Sequence, residues 1–338
     1  MKNVTSLNDI RQLLSNLPGP DEQAGELARE REPQLTKPYG SLGRLEQVSE
    51  WLTLWQGSHP PKMEMPRARV FAGNHGVVAK GVSAFPAEVT QQMVYNFEAG
   101  GAAINQLCKA FGTELKVEAL DLDQPTEDFT VSEAMSAADC IAAMKTGAAS
   151  VPENTDVLCL GEMGIGNTTS AAAICHALFG DTAELWTGAG TGVEGEALQT
   201  KIGVVSAGVT KHKPNMKDGL DALMCLGGRE LAAIAGAVIT ARQNRIPVLL
   251  DGYISTAAAA TLEATVKGSL DHCMVSHMSM EPGHKKLIDA LGQRPLLEMD
   301  MRLGEASGAA LAVGILKGAV ACHTGMVTFA DAGVSDKD

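Results

Sequence analysis

The chain runs to 338 residues, 45% apolar but only 4% aromatic, with 36 glycines and a formal net charge of −13. That suffices to bury one large α/β domain with a small appendage, or two domains. The acidic balance, with no basic cluster beyond Lys211-His212-Lys213, argues against nucleic acid or an anionic membrane as the main partner, so an anionic substrate needs a local pocket.

In chain order, residues 5–30 predict one or two short helices through Leu7, Ile10, Leu13 and Leu14, then Ala24, Leu27 and Ala28, separated by Pro18-Gly19-Pro20. The first residues hold no apolar signal core. From Gly43 to Trp55, apolar residues recur at helical spacing (Leu45, Val48, Trp51, Leu52, Trp55), and a linker follows at 57–61. Beyond it, short β-branched or apolar runs at 69–73, 115–120, 156–160, 246–250 and 272–276 alternate with Ala-rich helical patterns at 86–111, 131–146, 228–243 and 254–267. This alternation predicts βαβ units and an α/β fold whose parallel sheet is covered on both faces.

Each run ends in polar residues: Gly73-Asn74-His75-Gly76, Asp121 with Asp123, Gly161-Glu162, Asp251-Gly252 and Ser276-His277. Ligands of open α/β sheets sit at strand carboxyl ends, so these residues predict one pocket along one edge of the sheet. Seven cysteines, at 108, 140, 159, 175, 225, 273 and 322, form no C-x-x-C pair and read as buried free thiols of a reducing cytosol. No apolar run approaches the ~20 residues of a bilayer span, and a soluble cytoplasmic protein is expected.

The richest stretch is GEMGIGNTT at Gly161–Thr169, set between an apolar run and an Ala-rich segment. Strand, glycine turn with one carboxylate, and helix N-terminus follow one another there. Glycines let the backbone approach a ligand closely, and Glu162 is the acid at the turn; a plain helix start with a solvated Glu fits the same letters. GAGTGVEG at Gly188–Gly195 holds a formal G-x-G-x-x-G, but 183–186 is a poor strand and no acid-ending strand follows about twenty residues on, which weakens a dinucleotide fingerprint. A glycine nest offering N–H groups to a phosphate fits better, with Lys201 as the cation; a flexible loop and a surface lysine is the plain alternative.

Glu305 precedes a small-residue helix from Ala309 to Ala321. It is either a dipole-complementing cap or a general base whose pKa an apolar wall raises. Ser83 and Gln91 line a pocket wall, or serve as a cap and a solvated amide. Ser279 caps a helix or binds phosphate. His75 reads as structural, and His277 with His284 lack a third ligand, so no metal is expected. Both the paired-acid loop of many diphosphate-using phosphoribosyltransferases and a Walker Gly-Lys-Ser/Thr are missing; a mononucleotide donor needs neither.

In one order, KPYGSLGRLE at Lys37–Glu46, GNHGV, GVSAFP with TQQM, GEMGIGNTT, GAGTG, DGYIS and RLGEASGAAL resemble the nicotinate-nucleotide–dimethylbenzimidazole phosphoribosyltransferases, from about Lys37 to about Met326. The resemblance implies a Rossmann-like, mostly parallel large domain (61–300) and a small helical domain from both termini (1–60 and 301–338), in a homodimer without a cofactor. It implies phosphoribosyl transfer from nicotinate mononucleotide to 5,6-dimethylbenzimidazole, giving α-ribazole 5′-phosphate and nicotinate with inversion, in assembly of the cobalamin nucleotide loop. By motif position Glu305 is the base and Glu162 a second carboxylate at the reacting centre. Ser83 and Gln91 border the benzimidazole; Gly190, Gly192, Lys201 and Ser279 hold the phosphate; Gly164, Asp251 and Leu303 complete the substrate-binding set. Two positions depart from the pattern: Asn74, where aspartate is common, and Ala306, where glycine is usual and where the methyl is expected to narrow the base pocket. A nicotinamide-dependent oxidoreductase using the GTGVEG loop and a catalytically idle nucleotide-binding regulator are the competing readings.

Overall fold

A computed structural model describes residue 1 and residues 3–335. All five expected runs become strands: β1 (Pro66–Ala72), β2 (Glu114–Ala119), β3 (Val157–Met163), β4 (Val248–Leu250) and β5 (Cys273–Val275). They pair parallel in the order β2-β1-β3-β4-β5. β1, β4 and β5 are buried at every residue and β3 at all but its last, as strands covered on both faces should be. β2, one of the two edge strands, keeps Glu114 and Lys116 in solvent. An unpredicted two-residue pair, β6 (His277–Met278) with β7 (Leu297–Glu298), lies just past β5.

Side-chain alternation splits the core in two. Leu158 and Leu160 of β3 point to a layer that includes helices Ala137–Ala149, Asn167–Phe179, Arg229–Gln243 and Gly252–Thr265. Val157 and Cys159 point to the opposite layer, with Arg44–Gln56, Ala103–Phe111 and Ser307–Gly325. The abundance of small residues has a local cause. A Cβ on Gly147 would lie 1.8 Å from Ala233 O, and one on Gly236 would lie 1.9 Å from Met144 O, so two helices of the first layer touch backbone to backbone.

Segment 1–60 serves both layers. Helix Leu7–Leu14 packs into the first, and Arg44–Gln56 into the second. The chain ends meet where Arg31 donates to His323 O at 2.8 Å and Met326 O at 3.0 Å.

Two expectations are corrected and one is upheld. The 86–111 pattern is two helices, Glu88–Glu98 and Ala103–Phe111, broken at Gly100, whose φ of +80° a helix cannot hold. As the poor strand character of 183–186 indicated, that run is no strand but a short helix, so GAGTGVEG follows no strand and the dinucleotide fingerprint stays disfavoured. Finally, Ser307–Gly325, 19 residues with a mean hydropathy of 1.3, is long and apolar enough to cross a bilayer. Lys317 and scattered glycines hide that run from a search for unbroken apolar residues. In the fold its Ala309, Ala310, Val313 and Leu316 are buried in the second layer.

Candidate active site

A cavity of about 400 Å³ opens at the carboxyl ends of β3, β4 and the β5–β6 segment. It draws Glu162, Gly164 and Asn167 from the turn after β3, Asp251 to Ile254 from the turn after β4, and His277, Ser279 and Glu281 from the third. Arg302, Leu303 and Gly304 close it from the segment leading into Ser307–Gly325, and Phe85 and Gly190 from two loops. The ends of β1 and β2 do not join. His75 is buried in a chain running from Ser170 Oγ to its Nδ1 (3.0 Å) and from its Nε2 to Glu230 Oε1 (2.5 Å), the structural role expected of it.

The sequence forces the close approach at the centre. A Cβ on Gly161 would meet Ala306 N at 2.0 Å, so only glycine lets β3 pass the start of the last long helix. Gly304, at φ +83°, leaves room for Glu162, whose Oε1 would lie 2.6 Å from a Cβ there. Glu305 N–H donates to Glu162 O at 3.2 Å. Glu305 and Ala306 both sit at positive φ, +63° and +62°, a conformation L residues adopt only when the surroundings enforce it.

Ala306 is wholly buried against Gly161 and does not border the cavity, so the expected narrowing of a base pocket does not occur. Asn74, the other departure, donates from Nδ2 to Leu122 O at 3.0 Å, also away from the cavity.

The carboxyl groups differ in proton affinity. Burial raises Glu305 to about 7, and the nearby Asp251 charge adds to this. Burial, then Asp251 and Glu230, push Glu162 well above the carboxylate range, against a stabilising hydrogen bond from Asn167 Nδ2. Burial thus disfavours the ionised form of both carboxyls. Asp251 is fixed by Ala309 N–H at 3.0 Å and by His277 Nε2 at 3.3 Å, while its other oxygen is buried without a partner. Burial opposes protonation of His277, but the close contact with the Asp251 carboxylate prevails and raises its pKa.

At the other end, Lys201 is 1% exposed and does not line the cavity. It lies beneath the 188–190 loop, donating to Thr168 Oγ1 at 2.8 Å and Gly188 O at 2.9 Å, and burial lowers it to about 8. The amides expected to form an anion nest are already engaged: Gly190 N–H donates to Glu281 Oε1 at 3.0 Å, and Gly192 N–H to Ala189 O at 3.0 Å. Ser279 N–H donates to Nδ1 of His284, which burial holds at about 3 and thus neutral, leaving the Ser279 hydroxyl proton free for a ligand.

Of the expected residues, Glu162, Gly164, Gly190, Asp251, Ser279 and Leu303 line the cavity. Glu305 follows the lining residue Gly304, and Ser83 reaches the rim by sharing a hydrogen bond with Thr191 Oγ1 at 3.1 Å. Gln91 and Gly192 lie outside the lining; next to Gln91, Thr90 Oγ1 accepts from Ile165 N–H at 3.1 Å and ties that helix to the glycine turn. His277, expected as one of the polar strand-end residues of the pocket, lines it, and Asn167, Glu281 and Arg302 are lining residues that carried no predicted role. Their position just past a strand end, or beside Ser279 and Leu303, was the available signal.

A family model described as phosphoribosyltransferase matches residues 17–334. A nicotinate-nucleotide–dimethylbenzimidazole phosphoribosyltransferase of Rhizobium meliloti is 56% identical, with 98% of each chain covered. One of the same name from Ruegeria pomeroyi is 57% identical, again over 98% of each chain. The crystal structure of CobT from Thermus thermophilus superposes with a TM-score of 0.87 at 38% identity, covering 93% of this chain and 100% of that one. On these matches, the chain belongs to the nicotinate-nucleotide–dimethylbenzimidazole phosphoribosyltransferase family.

Proposed function

We propose that the chain transfers the phosphoribosyl group of nicotinate mononucleotide to 5,6-dimethylbenzimidazole, forming α-ribazole 5′-phosphate and nicotinate in assembly of the cobalamin nucleotide loop. The observation that carries this reading is a pair of carboxyls: Glu162 lines the cavity, and Glu305, next to the lining residue Gly304 and donating its N–H to Glu162 O, is raised by burial to about 7.

The acceptor nitrogen attacks C1′ of the ribose while the bond to the pyridinium nitrogen breaks, its electron pair neutralising that ring. The acceptor's other ring N–H must then lose its proton, and the Glu305 carboxylate takes it; a pKa of about 7 suits a general base near neutral pH. Glu162 faces the sugar. Burial disfavours its ionised form, but the positive pyridinium ring of the donor offsets that desolvation and favours the carboxylate, which stabilises positive charge growing on C1′. Leu303, Met163, Ile165 and Phe85 form the apolar wall for a neutral benzimidazole, with Ser83 at the rim. The phosphate fits the end holding the Ser279 hydroxyl, Arg302 and the buried charge of Lys201, where the glycine loop supplies room more than free amides.

Chromatography of nicotinate released from the mononucleotide, across benzimidazoles, adenine and phenols, tests the reading. Release that depends on dimethylbenzimidazole is expected; no release with any acceptor points to an idle nucleotide binder, and tight NAD(H) binding instead points to an oxidoreductase. The reading includes a cytoplasmic homodimer. All seven cysteines are unpaired, which suits a reducing compartment, and sedimentation of the 35.3 kDa chain tests the dimer.

A further inference from the structure

Glu281 has no part in the reaction as derived, yet it is 7% exposed, lines the cavity, and lies among the groups proposed to hold the donor phosphate. Its main-chain N–H donates to Ser279 Oγ at 3.3 Å, and its Oε1 accepts from Gly190 N–H at 3.0 Å. Its Oε2 is buried with no partner, and would lie 2.2 Å from a Cβ on Gly188. A carboxylate in a phosphate site repels its ligand unless it answers another need. Lys201 supplies that need: an almost wholly buried ammonium whose hydrogen-bond acceptors, Thr168 Oγ1 and Gly188 O, are both neutral. Among the described residues no carboxylate lies within ion-pair distance of it. Burial of that kind expels the proton unless a nearby negative charge retains it.

We propose that Glu281 is a positioning residue for the donor, its carboxylate anchoring the glycine loop through Gly190 and holding the charge on Lys201 beneath that loop. The inference rests on the reading of this end as the phosphate site. Burial is the larger influence on Lys201, and Glu281 is the charge that opposes it. Other charged groups on the elements packed against the Lys201 helix are engaged elsewhere: Lys80 pairs with Asp128, Lys286 with Asp181 and Asp221 with Arg11. His176 turns to Gly180 O, Lys213 donates to Ala177 O, and Glu184 is exposed. Across the loop, Arg302 reaches Gly190 O at 3.5 Å.

The test is Glu281→Gln, with donor KM and kcat read by nicotinate release from pH 6.5 to 9.5. Glutamine keeps the acceptor for Gly190 N–H and removes the charge. At pH 6.5 Lys201 stays protonated in both proteins, so the donor KM of the variant should match or fall below the parent's. Above pH 8 the variant loses that proton earlier, and its KM should exceed the parent's by about tenfold, as expected when a neighbouring charge is worth about one pKa unit. Glu281→Asp, which keeps a charge but shortens the tether, should restore the parent's alkaline behaviour. A Glu281→Gln effect equal at every pH, or a lower KM throughout, overturns the proposal. Should neither variant fold, a donor KM in the parent that stays flat to pH 9.5 overturns it equally. Lys201→Ala separates the two failures: no change in its donor KM sinks the phosphate site itself, whereas a raised KM beside a pH-independent Glu281→Gln sinks only the role of Glu281.

Discussion

The main-chain N–H of Glu305 donates to the carbonyl oxygen of Glu162 at 3.2 Å. The two carboxyl groups are therefore spaced by backbone, one on the end of β3 and one on a turn held at positive φ, rather than by side-chain packing. A backbone bond between two rigid elements fixes geometry without shielding either side chain, so burial and Asp251 raise both carboxyls, and the charge of Glu305 adds to the rise of Glu162.

Glu305→Gln should lower kcat by ~10²–10⁴, the usual worth of a general base, while making the protein more stable at pH 8. A carboxyl that titrates near 4.5 when exposed and near 7 in the fold binds more protons in the native chain between those values. Stability therefore falls as pH rises through that window, and the loss is complete above it. Removing the ionisable group should return about 1–3 kcal/mol at pH 8 and nothing near pH 4. Thermal melts of the two proteins at both pH values decide this; an inactive variant that is less stable at pH 8 would contradict the buried, raised Glu305.

The same group should set the pH profile. In the unaltered chain kcat/KM should rise with pH along a limb centred near 7, as the base of the free enzyme ionises. The charge of Asp251 contributes to that midpoint, so Asp251→Asn, which retains the oxygen that accepts from Ala309 N–H, should move the limb to lower pH. Glu162→Gln should instead depress kcat/KM along the whole limb without moving it, because burial and Asp251, not Glu162, raise Glu305 in the free enzyme. A limb that stays put in Asp251→Asn, or moves in Glu162→Gln, would show that the roles are exchanged.

Much of this was legible in the sequence where a local pattern decides the outcome. Strands buried on both faces must be short apolar runs, and a glycine turn with one acid between such a run and an Ala-rich helix reads as a site, so β1 to β5 and Glu162 were recoverable. What depends on distant contacts was not. That Glu281 occupies the Gly190 amide, that Lys201 lies under the loop and not in the cavity, and that Ala306 faces Gly161 all follow from how segments far apart in the chain meet. The helix Gly195–His212 was also missed, its small and polar residues giving no clean apolar stripe.

Ala306→Gly tests the placement of that methyl. If it bordered the base, its loss would enlarge the pocket and change KM for bulky benzimidazoles. Because it packs on Gly161 outside the cavity, acceptor KM values should stay within about twofold. Stability should change by no more than about 1 kcal/mol, since relief of the left-handed alanine offsets the lost methyl burial and the added freedom of the unfolded chain. A marked shift in acceptor preference would place the methyl in the pocket after all.

Gly161→Ala should be far more damaging, and for a reason Ala306→Gly cannot repair. The added Cβ would stand 2.0 Å from the main-chain nitrogen of residue 306 and 2.5 Å from its Cα, as well as 2.6 Å from the methyl. Deleting the methyl relieves only the last contact. To accept the new Cβ, β3 must part from the start of Ser307–Gly325, which breaks the Glu305–Glu162 hydrogen bond and moves the base away from the sugar. Overpacking of this kind costs at least ~1–3 kcal/mol, and misplacing a catalytic group by about 1 Å costs ~10²-fold in rate. The double variant should therefore melt as low as Gly161→Ala alone and show the same loss of kcat. Recovery of either property in the double variant would mean that the methyl, not the backbone, forms the barrier between the two segments.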